Sequence, residues 1–186
     1  SARDLDVVAA PAEEPDEEKG PIELPQIVLP LALELEQALV ERLSIGAPGG
    51  EPPFRVDRIA LAASWQGSEL TLKELAVALP EPLVNASAQG KAELIDDYPL
   101  DLGLSWDLTQ EPALKLDGKA KLGGDLKRLQ IEHDLTGSAD LRLDVLVRDV
   151  LDSPGWEGKL IIRSVDLPSI AADLPAVDLT GELTTH

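Results

Sequence analysis

The stretch from Tyr98 to Leu108 constrains the fold strongly, because it places an apolar side chain at every second position. A period of two is typical of a β-strand with one buried face and one solvated face. On a helix the same side chains would spread around the whole circumference, with the aspartates among them. The stretch therefore predicts a strand whose apolar ribbon consists of Leu100, Leu102, Leu104, Trp106 and Leu108.

Much of the remaining chain repeats this alternation. Short turns rich in Gly, Pro and Asp separate the repeats, as in an antiparallel meander. The sequence therefore predicts an all-β fold. The segments concerned are Ile59 to Trp65, Leu70 to Leu72, Ala86 to Leu94, Leu114 to Leu122, Leu129 to Leu135, Leu141 to Val147, Leu160 to Ile162 and Val177 to Leu183.

The segment from Ile27 to Leu43 has two interpretations. Its first half alternates, with Leu29, Leu31, Leu33 and Leu35 on one face. Its second half contains good helix formers at spacings that also fit a helical face. Two strands are favoured, because prolines at 25 and 30 fit a helix poorly.

The N-terminal 25 residues are predicted to form a unit of their own. Leu5 to Val8 predicts one short strand, and Pro11 to Pro21 is acidic and rich in proline. That acidic stretch buries too little apolar surface to offset the entropy of ordering it, so a mobile loop is predicted. A solvated linker is favoured over a cation site there. Residues 26–186 are predicted to form the remainder of the sheet.

Composition excludes several functional classes. The 186 residues include 35 acidic and 16 basic side chains, a net charge of −19 that repels nucleic acid and anionic membrane surfaces. The absence of cysteine excludes disulfides and thiolate metal sites. No apolar run is long enough to span a membrane. The sequence contains no Met, so we expect it to be a piece of a longer protein.

A short pattern recurs in the chain: an apolar residue, two polar residues, an apolar residue, any residue, and an apolar residue. The three-residue step interrupts strict alternation, so each copy predicts a bulge or tight bend. Recurrence of one unit indicates an array rather than a single closed domain. The copies are Val40 to Ile45, Val56 to Leu61, Leu72 to Val77, Leu126 to Ile131 and Ile162 to Leu167.

No residue pattern indicates catalysis, a metal or another cofactor, so the sequence predicts a protein that is not an enzyme. His133 occupies an apolar register and is interpreted as a packed side chain, and His186 is the last residue. No serine lies in a nucleophile elbow, and Gly49–Gly50 lacks the Lys of a phosphate loop. Asp96 and Asp97 are interpreted as a turn.

The apolar face therefore carries the functional question. It could be one half of a sandwich core, packed against a second sheet. It could instead line a groove for lipid tails or apolar polypeptide. Periodicity alone favours the sandwich, whereas the low aromatic content of 3% weakly favours the groove.

The order of several short segments resembles the bacterial TamB family, the inner-membrane subunit of the translocation and assembly module. The resemblance covers roughly residues 20 to 186. Each segment is weak alone, and their order makes them specific. They are GKAEL at 90–94, DYPL at 97–100, LGGDLKRL at 122–129 and VLDSPGW at 150–156.

The resemblance implies a β-taco, an antiparallel sheet folded into a U with an apolar interior, similar to AsmA-like and bridge-like lipid transfer proteins. It also implies a protein anchored in the inner membrane of a Gram-negative bacterium and crossing the periplasm, with this segment a central stretch. Membrane contact would then occur only through parts of the parent protein outside this segment. An outer-membrane barrel protein, TamA, would bind the parent protein's C-terminal end.

Two functions follow from the resemblance, and an inert spacer is the third possibility. The first is a conduit for phospholipid tails, and the second is a module that binds outer-membrane proteins and autotransporters during their assembly and secretion. In a conduit, the groove is expected to be lined by Leu29, Leu31, Leu33, Leu35, Leu61, Leu72, Leu100, Leu102, Leu104, Trp106, Leu114, Leu116, Ile131, Leu141, Leu143 and Val145.

Overall fold

A computed structural model of the chain describes residues 6–7, 22, 24–45, 54–110, 113–170 and 180–185. These residues form eleven strands and one short helix. The elements are β1 (Asp6–Val7), β2 (Leu29–Ile45), β3 (Phe54–Gly67), β4 (Glu69–Pro80), β5 (Leu83–Glu93), β6 (Leu100–Gln110), β7 (Leu114–Gly124), β8 (Arg128–Gly137), β9 (Ala139–Arg148), β10 (Gly155–Val165), α1 (Leu167–Ile170) and β11 (Gly181–Thr185).

All eleven strands belong to one sheet, and their order in the sheet is their order in the chain. Each pair of neighbours from β2 to β11 is antiparallel. The short β1 pairs with β2 in parallel, Asp6 opposite Ser44 and Val7 opposite Ile45. The predicted all-β class and antiparallel meander are confirmed, and the open sheet agrees with a taco-like architecture. Within the described ranges no second sheet packs on the first, as a sandwich would require.

The segment with two interpretations forms one strand, β2, and no helix. It pairs with β3 along its length, and its register shifts by one residue between Leu35 and Ala38. That bulge is where the two predicted strands meet, so the expected break is a local irregularity rather than a turn. Pro30 is tolerated because it lies near the start of the strand, where a missing ladder donor does little harm.

The recurring pattern predicts a bulge or bend at each of its copies, and the structure shows an irregularity at some copies but not at all of them. A register shift lies between Leu72 and Leu75 in one copy, and between Ile162 and Ser164 in another. In the first copy Arg42 has a φ of 57°, and the copy at 126–131 begins in the turn before β8. For Val56 to Leu61 the prediction is wrong, because this copy keeps a constant register within β3.

The turns at one end of the strands are hydrogen-bonded to each other. The predicted Asp96–Asp97 turn is confirmed, and Asp97 O accepts from the N–H of Leu126 in the next turn. In the same way, Asp149 N donates to Lys127 O one turn further on. We call residues 94–99, 125–127 and 149–154 the turn edge. These hydrogen bonds link each turn to the next along this border of the sheet.

Burial in the described part is shallow. No large side chain is fully buried. The buried apolar residues are small or medium in size, namely Val56, Ala60, Ala62 and Ala139, and the polar Ser138 is buried as well. A single sheet layer explains this, because a side chain on either face has neighbours beside it but no second layer above it. The acidic stretch from Pro11 to Pro21, which is predicted to be mobile, lies outside the described residues. None of the helices described has the length and apolarity that a membrane crossing demands.

Candidate functional site: an apolar face across the sheet

Cross-strand register aligns the apolar side chains into rows that run perpendicular to the strands. One row, which we call the central row, takes one residue from each strand from β2 to β11. Neighbouring strands lie about 4.8 Å apart, so ten strands make a row of about 43 Å. Its members in order are Ala38, Leu61, Leu75, Ala88, Leu104, Ala120, His133, Leu143, Leu160 and Leu183.

Two parallel rows flank the central row, and together with the residues in register beyond them on the same side of the sheet they form what we call the apolar face. One row runs through Leu35, Ala63, Leu72, Gly90, Leu102, Leu122, Ile131, Val145 and Gly158. The other runs through Val40, Ile59, Val77, Ala86, Trp106, Gly118, Leu135, Leu141 and Ile162. Each strand alternates apolar and polar residues, and because the strands pair in register, their apolar side chains form one continuous surface.

The face gathers most of the residues that the sequence predicts as groove lining. Leu33 lies opposite Trp65, and Leu29 opposite Gly67 at the border of the sheet. Leu100, Leu114 and Leu116 join the face through their pairs in β6 and β7. Leu31 is the exception, because it falls inside a register shift and has no cross-strand partner in the described ladder.

Several members of the face escaped the predicted list. Leu75, Val77 and Leu160 lie in its rows, and Trp65 lies on the same side opposite Leu33. The bulge in β4 brings Leu75 and Val77 into register with the apolar face. The position of a bulge cannot be predicted from the local sequence pattern. A strand of small residues, Ala86, Ala88, Gly90 and Ala92, also belongs to the face. This alternation was visible in the sequence.

Larger side chains of β6 lean over the small residues of its neighbours. A Cβ at Gly90 would meet the Leu102 side chain at 2.9 Å and would collide with the backbone oxygen of Asp101. A Cβ at Gly118 would collide with the indole ring of Trp106. These glycines are therefore required for close approach, and they let leucine and tryptophan lie flat along the sheet.

Trp106 and His133 meet over the intervening strand β7. The indole Nε1–H donates to Nε2 of His133 at 3.3 Å. The two rings are nearly parallel, with 10° between their planes and 6.0 Å between their centroids. The nearest nitrogens are 3.3 Å apart, whereas the ring centroids are 6.0 Å apart. Because the rings are also nearly parallel, they lie side by side and not one above the other. The pair therefore forms one flat aromatic plate on the apolar face, with Gly118 beneath the indole.

The opposite face is mainly polar and ionic, although Ala60 and Ala62 of β3 lie on it and are buried. Arg142 pairs with Glu132, Asp134 and Asp144, and the hydrogen bond and charge of Asp144 contribute most to raising the pKa of its guanidinium. Lys73 bonds to Glu34 and thereby lowers the pKa of that carboxyl. A cleft of about 560 Å³ runs between these side chains. Its lining is mostly polar, with residues such as Gln89, Lys119 and Arg142, and also includes Ala88, Leu104 and Ala120. Its charged walls suit water rather than apolar ligands.

The fold and the apolar face define a class of protein: an open antiparallel sheet that offers one long apolar surface and one ionic surface. Compared with known families, residues 6–185 match the model of the TamB N-terminal domain. The chain therefore belongs to the TamB family, and the resemblance of its short segments is confirmed. The matched model is that of the N-terminal domain, which differs from the central stretch that the sequence favoured.

Membership of the TamB family indicates the cellular process in which the chain takes part. TamB proteins belong to the translocation and assembly module, are linked to outer-membrane assembly and lipid transport, and work with an outer-membrane partner. The family implies a periplasm-spanning bacterial protein, and it is a transport and assembly family. No solved structure was found to match the chain.

Proposed function

We propose that this chain is a segment of a lipid conduit that carries phospholipid tails along the apolar face from the inner towards the outer membrane. The face supports this proposal because its rows of apolar residues run across the strands, and in the central row only one member, His133, is polar. Each buried CH₂ of an acyl chain is stabilised by about 0.8 kcal/mol relative to water. A row of about 43 Å is longer than one extended acyl chain, so a tail finds similar surroundings at successive positions.

One observation carries the proposal: from β3 to β10 the large aliphatic side chains of the apolar face are half-buried, Leu35 on β2 and Leu183 on β11 are exposed, and none is fully buried. A protein that only needed a core would cover such a face with a second layer. The described residues leave the face accessible instead. The aliphatic lining also lets a tail slide, because no position binds much better than the next. Head groups would remain in solvent at the borders of the groove.

The test compares Leu102→Arg with Gln89→Arg. Both changes add one positive charge, but Leu102 lies on the apolar face of β6 and Gln89 is exposed on the ionic face of β5. Native mass spectrometry of the purified chain, incubated with vesicles of phosphatidylethanolamine and phosphatidylglycerol, would count bound lipids.

We expect the wild type and Gln89→Arg to bind phospholipid. Leu102→Arg should stay folded but lose most bound lipid, because a guanidinium is poorly accommodated among tails. It should fold because a half-buried arginine can extend its long side chain towards solvent. An unfolded Leu102→Arg would indicate a closed core, and normal lipid binding by this variant would contradict a groove through this position.

A second function, binding of unfolded outer-membrane polypeptide, is supported by the edge strand β2. Leu31, Leu33 and Leu35 are 71%, 55% and 40% exposed, and among the described residues β2 pairs on its outer side only at Ser44 and Ile45. An extended peptide could add a strand there. A peptide with alternating apolar residues should then bind the wild type and Leu102→Arg, but not Leu33→Lys, because an edge lysine opposes strand addition.

A further inference from the structure

His133 is the single polar member of the central row. Its neighbours in the row are Ala120 on β7 and Leu143 on β9, both apolar. Among the described residues from β4 to β11, cross-strand register places no other titratable side chain on the apolar face. A group that can acquire a charge therefore lies in the surface along which tails are proposed to pass.

The contact with Trp106 fixes the protonation state that the pair requires. An indole nitrogen only donates hydrogen bonds, so Nε2 of His133 must accept and cannot carry a proton. The pair as observed therefore contains a neutral imidazole. A protonated imidazole has donors on both nitrogens, so it would lose the bond to Trp106 and would hold a positive charge on the face.

No nearby group compensates that charge on the same face. The adjacent carboxylates of Glu132 and Asp134 alternate to the other face, where both pair with Arg142. The residues that surround the imidazole on β6 and β10 are Leu104, Trp106 and Leu160. The helix α1, which also contacts β7, contains no titratable residue. An acyl chain lying over His133 would therefore have to exclude water from an unpaired cation, which is strongly unfavourable.

We infer that protonation of His133 and occupation of the apolar face by acyl chains exclude each other, so that the groove loads lipid at neutral pH and releases it as the pH falls. This inference rests on the proposed conduit. Histidine is the side chain that changes charge between about pH 5 and 8. The exclusion means that acid weakens lipid binding.

The experiment measures binding of vesicle-derived phosphatidylglycerol to the whole chain at about pH 7.5 and about pH 5.5. We expect the wild type to bind at least about fivefold more weakly at the lower pH. His133→Gln is the decisive variant, because its amide oxygen can still accept from Trp106 but the side chain cannot become charged. It should bind similarly at both pH values. His186→Gln controls for the second histidine of the chain and should behave as the wild type.

A lipid-free measurement tests the pair itself. The three tryptophans give three indole N–H resonances in an NMR spectrum. The Trp106 resonance should move on acidification, while those of Trp65 and Trp156 serve as internal references. The shift should vanish in His133→Gln.

The outcomes separate this inference from the conduit. If the wild type binds lipid equally at both pH values, or if a pH effect persists in His133→Gln, the pH dependence proposed for His133 is wrong and the conduit is unaffected. If no lipid binds at either pH, both proposals are wrong. If acid does not move the Trp106 resonance, the hydrogen bond between Trp106 and His133 does not depend on pH, and the inference about His133 is wrong.

Discussion

The strands β6 and β2 carry the same alternation of leucines but bury them to different degrees. On β6 the alternating apolar side chains from Leu100 to Leu108 are half-buried, with β5 and β7 on either side. On β2 the side chains of Leu31 and Leu33 are 71% and 55% exposed, and a partner strand is described on one side for most of its length. Alternation thus places side chains on a face, whereas neighbouring strands determine how well they are covered.

The difference teaches how a single layer can be both stable and open. In the centre, flanking side chains such as Leu102 over Gly90 pack sideways and stabilise the sheet without a second layer. At β2 the same residue type contributes little packing and remains available to another strand. Loss of packing in the centre should therefore lower the stability of the sheet, whereas the same loss at the edge should affect stability little.

The largest effect is expected at Gly90 in the centre. It has a φ of 150°, and a Cβ there would collide with the backbone oxygen of Asp101. Gly90→Ala should lower the free energy of unfolding by about 2–4 kcal/mol, since neither the backbone nor the oxygen can easily move. Urea denaturation measures this.

The matched control is Gly103→Ala on the next strand, where the nearest atom to a Cβ would be 3.9 Å away. It should change stability by no more than about 0.5 kcal/mol. Equal losses at both glycines would show that the close approach over β5 is not what limits substitution.

A smaller contrast is expected between two leucines of the two strands. Leu104→Ala in the centre should destabilise the chain by about 1–2 kcal/mol, because it removes half-buried apolar surface. Leu33→Ala at the edge should have an effect below about 0.5 kcal/mol, because its side chain is already 55% exposed. Chemical denaturation of both variants gives the difference. A larger loss of unfolding free energy for Leu33→Ala than for Leu104→Ala would contradict the comparison, because it would indicate that another part of the protein covers the side chain of Leu33.

The smallest effect concerns the ion pair between Lys73 on β4 and Glu34 on the edge strand. Lys73 lowers the pKa of the Glu34 carboxyl, so the pair stabilises the fold at neutral pH, and this contribution is lost as the pH falls through the folded-state pKa. Both side chains are exposed, which keeps the effect small.

Glu34→Gln should therefore lower Tm by no more than about 2 °C at neutral pH and have no effect once the carboxyl is protonated. Thermal scans at both pH values are the measurement. A large loss would mean that this pair anchors the edge strand.

Much of the fold could be predicted from the sequence, because alternation at Leu100 to Leu108 and its repeats specifies strands and faces directly. Prolines correctly argued against a helix in β2. The bulges could not be placed reliably: Val56 to Leu61 has the same pattern as Leu72 to Val77, but only the latter region shifts register. A bulge depends on the partner strand, which a local pattern does not contain.

The candidate site shows the same limit. The lining residues of β6 follow from alternation, and their function as lipid contacts stays a prediction. The contact between Trp106 and His133 could not be foreseen, because it spans β7 and requires both the register and a glycine at 118. The sequence predicts His133 to be a packed side chain, and the structure adds its hydrogen-bond partner, Trp106.

The central claim is that acyl chains lie along the apolar face and not along the ionic face. The chain contains no cysteine, so Leu104→Cys and Ser105→Cys each allow one fluorescent label at adjacent positions on opposite faces of β6. Phospholipid whose acyl chain carries a nitroxide quenches only a label that it contacts. The account predicts strong quenching at position 104 and little at position 105; equal quenching at both positions, or none at 104, would contradict it.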